Sequence, residues 1–310
     1  MAGIAVLGDV GRALSGSNPV SLETHLESVK ILPDQGGNAR ELYGALTAQA
    51  TSIVEIQRPE RRRAFVLAVT APLDGAHPSD LGQPSAWSSA IDALAAGRAV
   101  SSTDEGLVYL DKPTNDYQRL FIVSAGNVCR PDKTDHLVRS DIEVVEEPAQ
   151  AWNALSVGAY TKLANIYDGD FLGWSPLARV GELSPFSRTS VGFREQWPHK
   201  PDVVFEGGNA AVSPDNTTVD TPPDLQLLTT RFLHFGRPVT YDCGWDKSGD
   251  SPGSTPGRPD RWCLPTLVAR DGPWSYRPLG AMDRPDAGTL QRDHSRAESR
   301  QGSTVRMGST

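Results

Sequence analysis

Three short runs in this chain are apolar at almost every position: residues 64–71, 120–123 and 154–160. A strand with one face in water alternates apolar and polar residues, whereas a strand covered on both faces does not need to. Runs of this kind therefore predict the inner strands of a parallel sheet with helices packed against it. The segments between them fit that arrangement. Residues 41–57 carry apolar side chains at helical spacing (Leu42, Ala45, Leu46, Ile53, Ile56) and end before Pro59. Residues 84–100 open with Pro84 and Ser85 and then place Trp87, Ile91, Leu94 and Ala95 on one helical face. Residues 29–32 form a further apolar run, stopped by Pro33-Asp34, and predict another strand. The expected fold is α/β: a three-layer α/β/α domain with a mostly parallel sheet, covering residues 1–230.

Beyond residue 230 the character changes. Residues 231–310 contain no isoleucine, and Pro, Gly, Arg and Ser make up close to half of them. No helical or alternating pattern persists there, as expected of a low-complexity tail or of an out-of-frame translation. A net charge of −8 argues against a nucleic-acid surface. The one dense basic run, Arg61-Arg62-Arg63, has the setting of a solvated loop. No stretch is long and apolar enough to predict a membrane span. Cys129, Cys243 and Cys263 have neither metal-ligand nor disulfide-framework spacing, and the start of the chain lacks a basic leader, so the expected compartment is cytoplasmic. No cofactor and no metal site is expected, and oligomeric state has no signature.

The segment with the most chemical content is the end of the 120–123 run, Ser124-Ala125-Gly126-Asn127. In open α/β sheets ligands bind beyond the carboxyl ends of the strands. An asparagine there can aim its amide at a developing oxyanion, and a preceding glycine permits close backbone approach. Four further segments follow in order: Ser156-Val157-Gly158-Ala159; Ser184-Pro185-Phe186-Ser187-Arg188-Thr189-Ser190; Lys200-Pro201-Asp202-Val203 leading to Gly207-Gly208-Asn209; and Leu227-Leu228-Thr229-Thr230. In this order they resemble the interior of a subtilisin-like serine peptidase (subtilase) domain. The resemblance implies a polypeptide substrate and peptide-bond hydrolysis. It implies that Asn127 is the oxyanion donor and that Ser124, Ala125 and Gly126 form one wall of the primary specificity pocket. It further implies that Val69, Thr70 and Ala71 form the opposite, substrate-pairing strand, in place of the family's Ser-Leu-Gly.

The family's nucleophile and base motifs are missing. None of the six histidines is followed by Gly-Thr, and no Gly-Thr-Ser-Ala helix start occurs. Met1-Ala2-Gly3-Ile4-Ala5 resembles the stretch just after the family's histidine, so the domain is expected to be incomplete at both ends. A rival register takes Asp9 as the catalytic acid. Thr189-Ser190 belongs to the Phe-Ser loop, and Ser248-Gly249-Asp250-Ser251 is turn-like with no small apolar helix behind it. The expectation is a serine endopeptidase by resemblance that is inactive in this chain; a peptide-binding pseudoenzyme is the alternative. Gly8-Asp9-Val10-Gly11 is too short for a phosphate loop and lacks the following Lys-Ser or Lys-Thr.

Overall fold

A computed structural model describes residues 2–17, 19–22, 24–33, 37–71, 82–103, 106–110, 117–128, 135–229 and 242–243. Its elements, in chain order, are α1 (Ala2–Leu7), α2 (Val10–Ser15), α3 (Tyr43–Gln57), β1 (Ala64–Leu67), α4 (Ala86–Ala95), β2 (Val100–Thr103), β3 (Gly106–Tyr109), β4 (Leu120–Ser124), α5 (His136–Ile142) and β5 (Leu155–Tyr160). They continue with β6 (Ser175–Pro176), β7 (Val203–Glu206), β8 (Ala211–Val212), β9 (Val219–Asp220), β10 (Leu228–Thr229) and β11 (Asp242–Cys243). The central sheet is wholly parallel, in the order β1-β4-β5-β7. This is the parallel sheet expected of the three-layer α/β/α class. Beside it lie an antiparallel β2-β3 pair, a small β6-β8-β9 sheet and a β10-β11 pair that joins residues on either side of position 230.

The sheet sits where the apolar runs predict. Phe121, Ile122 and Val123 of β4 are all buried, so both faces of that strand are covered. Phe121 and Val123 belong to one core cluster with Trp87, Ile91 and Leu94 of α4, and the Phe65 ring stacks on Phe121 with centroids 5.1 Å apart. Burying one such large side chain contributes about 1.5–3 kcal/mol. α4 begins where Ser85 and Ser88 form a reciprocal capping box, satisfying backbone donors that a helix start leaves unpaired. Arg119, just ahead of β4, ties both helices down by bonding Glu55 of α3 and the Leu94 carbonyl of α4.

Three expectations need correction. α3 forms, but its buried face is Gly44, Thr47, Ala48 and Thr51, while Leu42, Ile53 and Ile56 are exposed. Small residues let α3 lie close to α4, and the two threonine hydroxyls are satisfied by the Tyr43 and Thr47 carbonyls one turn back, at 2.8 Å each. Residues 29–32 form no strand: a strand needs a ladder partner, and among the described residues no strand pairs with them. The 64–71 run is a regular strand only as far as Leu67, and Val66 is 46% exposed, so this outer strand is not covered on both faces. The basic run behaves as expected of a loop, with Arg61 and Arg63 both clasping Glu27.

Candidate functional site

β1 and β4 run side by side, and their last paired residues are Leu67 and Val123. Both strands therefore deliver the chain to the same edge of the sheet, one leading to Val69, Thr70 and Ala71 and the other to Ala125, Gly126 and Asn127. Val69 packs on the core, Thr70 and Ala71 are buried, and Ala125 is buried completely. The Ala125 N–H donates to the Val157 carbonyl (2.9 Å), and the Gly126 N–H donates to the Ser124 hydroxyl (3.2 Å). Asn127 is half-buried and bridges to Ser187, while its carbonyl accepts from Arg188 Nε at 2.7 Å. The two segments singled out from the sequence thus leave the same end of neighbouring parallel strands.

The segment that joins them was not singled out. Residues 144–147 run along both: the Glu146 N–H donates to the Ala125 carbonyl (3.1 Å), and the Ala71 N–H donates to the Glu147 carbonyl (2.9 Å). Glu146, 6% exposed, reaches across the gap, where its Oε2 accepts from the Thr70 hydroxyl at 2.6 Å and its Oε1 pairs with Arg188 at 3.0 Å. The Arg188 guanidinium also bonds the Val144 carbonyl and Glu143, so one cation serves two carboxylates. Glu147, also buried, pairs with Arg40 at 2.8 Å. Gly126 has φ +92°, and a Cβ placed on it would fall within 2.9 Å of Glu146 Cγ and Cδ. What approaches Gly126 closely in this structure is the Glu146 side chain.

Burial holds the Glu146 carboxyl above its ordinary range, and neighbouring Glu143 pushes the same way; Arg188 and the Thr70 hydroxyl pull it down. Sequence reasoning missed this residue because its role depends on three remote partners. One signal was present: an acid pair, Glu146-Glu147, set between Val144-Val145 and Pro148-Ala149 where charge is costly to bury.

The other chemical candidates have structural work. Asp9 caps α2, accepting from the Arg12 N–H at 3.0 Å. The Thr189 hydroxyl donates to the Ser140 carbonyl, and the Ser190 hydroxyl accepts from the Lys200 N–H. His25 and His199 are exposed, His136 opens α5, and among the described residues no serine or threonine hydroxyl is bonded to a histidine ring. Among the described residues, too, no group of three or more His, Cys, Asp or Glu could hold a metal ion, and no helix is long and apolar enough to cross a membrane. Cys129, Cys263, Thr230 and Ser248-Gly249-Asp250-Ser251 lie outside the described residues, as does the 231–310 segment apart from β11.

The central parallel sheet is the arrangement the sequence resemblance implied. The model of the subtilase family matches residues 1–242, well over half of the chain. This chain belongs to the subtilase family. Membership carries a serine-peptidase type of function, and polypeptide substrates, at the level of the family. No curated protein matches the chain significantly. Within the subtilase match fall all four central strands, the Glu146–Arg188 network and residues 69–71 and 124–127.

Proposed function

We propose that this subtilase domain holds an extended polypeptide at the carboxyl ends of β1 and β4 and does not by itself cut it. The observation that carries this reading is the juxtaposition of Thr70-Ala71 with Gly126-Asn127 across a gap bridged by Glu146. On this reading Val69, Thr70 and Ala71 form the substrate-side segment. Ser124, Ala125 and Gly126 form the opposite wall, and Asn127 lies where an oxyanion donor is needed. Acyl transfer also needs a nucleophile, a base to deprotonate it and a carboxylate to orient the base. The sequence supplies no His-Gly-Thr and no Gly-Thr-Ser-Ala, and the hydroxyls of Thr189 and Ser190 are committed to the backbone of neighbouring segments.

The test has two arms. The purified chain is incubated with fluorescently labelled casein and with a fluorophosphonate that labels activated serines; neither hydrolysis nor labelling is expected. Binding of labelled extended peptides is then followed by fluorescence anisotropy, and a saturable signal is expected. Casein cleavage or labelling of a serine would reveal a nucleophile and refute the non-cutting reading, and absence of peptide binding would refute the binding reading.

A further inference from the structure

Glu146 decides how much room the two wall segments leave between them. Its stem lies against Gly126, so close that even a methyl group on that residue would meet its Cγ, Cδ and Oε2 at 2.6–2.9 Å. Its carboxylate touches the other wall through the Thr70 hydroxyl at 2.6 Å. The side chain is 7% exposed, so it fills the gap it spans. It is also held in place at both oxygens, because Arg188 takes Oε1 and is itself fixed by the Asn127 and Val144 carbonyls and by Glu143. A large side chain entering between the walls would have to expel Glu146 from all of these bonds. A lysine or arginine would gain little, since Arg188 already supplies the positive charge.

We infer that Glu146 is a specificity-determining residue that limits the peptide side chain lodged between the walls to glycine, alanine or serine. The inference rests on the reading of this gap as the peptide-binding site. Removing Glu146 opens the gap, and Arg188 keeps a partner when Glu146 is gone, because Glu143 Oε2 lies 3.1 Å from it.

The experiment measures anisotropy of fluorescein-labelled tetrapeptides, Ala-Ala-Ala-X, with X as alanine, phenylalanine, lysine or glutamate. Pocket fit for one surplus methylene alone changes affinity by about tenfold or more. The parent chain is therefore expected to bind the alanine peptide at least about tenfold more tightly than the phenylalanine peptide. Glu146→Ala is expected to raise affinity for the phenylalanine peptide relative to the alanine peptide by about tenfold or more. Preference of the parent for phenylalanine or lysine would overturn the inference, as would a Glu146→Ala variant that melts like the parent yet gains nothing for phenylalanine. Should that variant fail to fold, the parent's own ranking of the four peptides still decides. If no peptide binds, the peptide-binding reading itself fails; if all bind alike, only the role given to Glu146 fails.

Discussion

Replacing Gly126 with alanine probes its contact with Glu146 directly. The added methyl would lie 2.6 Å from Glu146 Oε2 and 2.9 Å from Cδ and Cγ, far inside van der Waals contact. Glu146 is not free to swing aside, because Thr70 and Arg188 hold its two oxygens. Forcing a surplus methyl into such a place costs about 1–3 kcal/mol. The backbone adds its own share: Gly126 has φ +92°, a region that costs a residue with a Cβ about 1–3 kcal/mol. Together Gly126→Ala is expected to lose about 2–6 kcal/mol, and to lower Tm by roughly 4–24 °C for a domain of this size. Urea unfolding followed by tryptophan fluorescence suits the measurement, since the chain has seven tryptophans. The double variant Gly126→Ala/Glu146→Ala separates the two shares. It relieves the steric part but not the backbone part, so the cycle should show a coupling of about 1–3 kcal/mol. A Gly126→Ala variant within about 0.5 kcal/mol of the parent, or strictly additive single variants, would mean that Glu146 does not cover Gly126.

The corrected face of α3 is tested by a contrasting pair. Ile56→Ser, at a position 79% exposed, should change stability by no more than about 0.5 kcal/mol, whereas Ala48→Leu on the buried face should cost about 1–3 kcal/mol; the reverse order would restore the apolar-stripe assignment. Trp87→Phe removes the 2.9 Å bond from Trp87 Nε1 to Thr47 and should cost at least about 0.5–1.5 kcal/mol in chemical denaturation, so a neutral result would remove that bond from the tie between α3 and α4. The Glu146 carboxyl, raised above its ordinary 4.5 by burial, keeps in the folded chain a proton that the unfolded chain has released. Its ionisation therefore lowers stability as pH rises from about 4.5 through the folded value, and glutamine removes that loss. The Tm difference between Glu146→Gln and the parent should accordingly move in the variant's favour from about pH 4 to about pH 7 in thermal melts. A difference that moved the other way would show that Arg188 outweighs burial.

The position of β4 was legible because a strand buried on both faces must be apolar throughout, and it meets that condition from Phe121 to Val123. α4 was legible for a related reason: its large apolar residues recur on one face, and that face is the buried one. Ser124-Ala125-Gly126-Asn127 could be placed at a strand's carboxyl end because it directly follows an apolar run. These are properties of neighbours along the chain, and periodicity reports them.

What periodicity could not report was decided by contacts between distant segments. α3 buries threonine, alanine and glycine because α4 lies close against it, and close approach favours small side chains over the isoleucines that a stripe of hydrophobicity suggests. Residues 29–32 have strand composition, but composition supplies no ladder partner. Glu146 reads locally as an acid in an apolar stretch; only the fold brings it to Thr70, Gly126 and Arg188, from 76 residues back to 42 residues ahead of it in the chain. The sequence by itself determined the class of fold, the family and which strand end carries Asn127. The tertiary structure alone decided what stands between Thr70 and Gly126, because a buried carboxylate is stable only where remote donors converge on it.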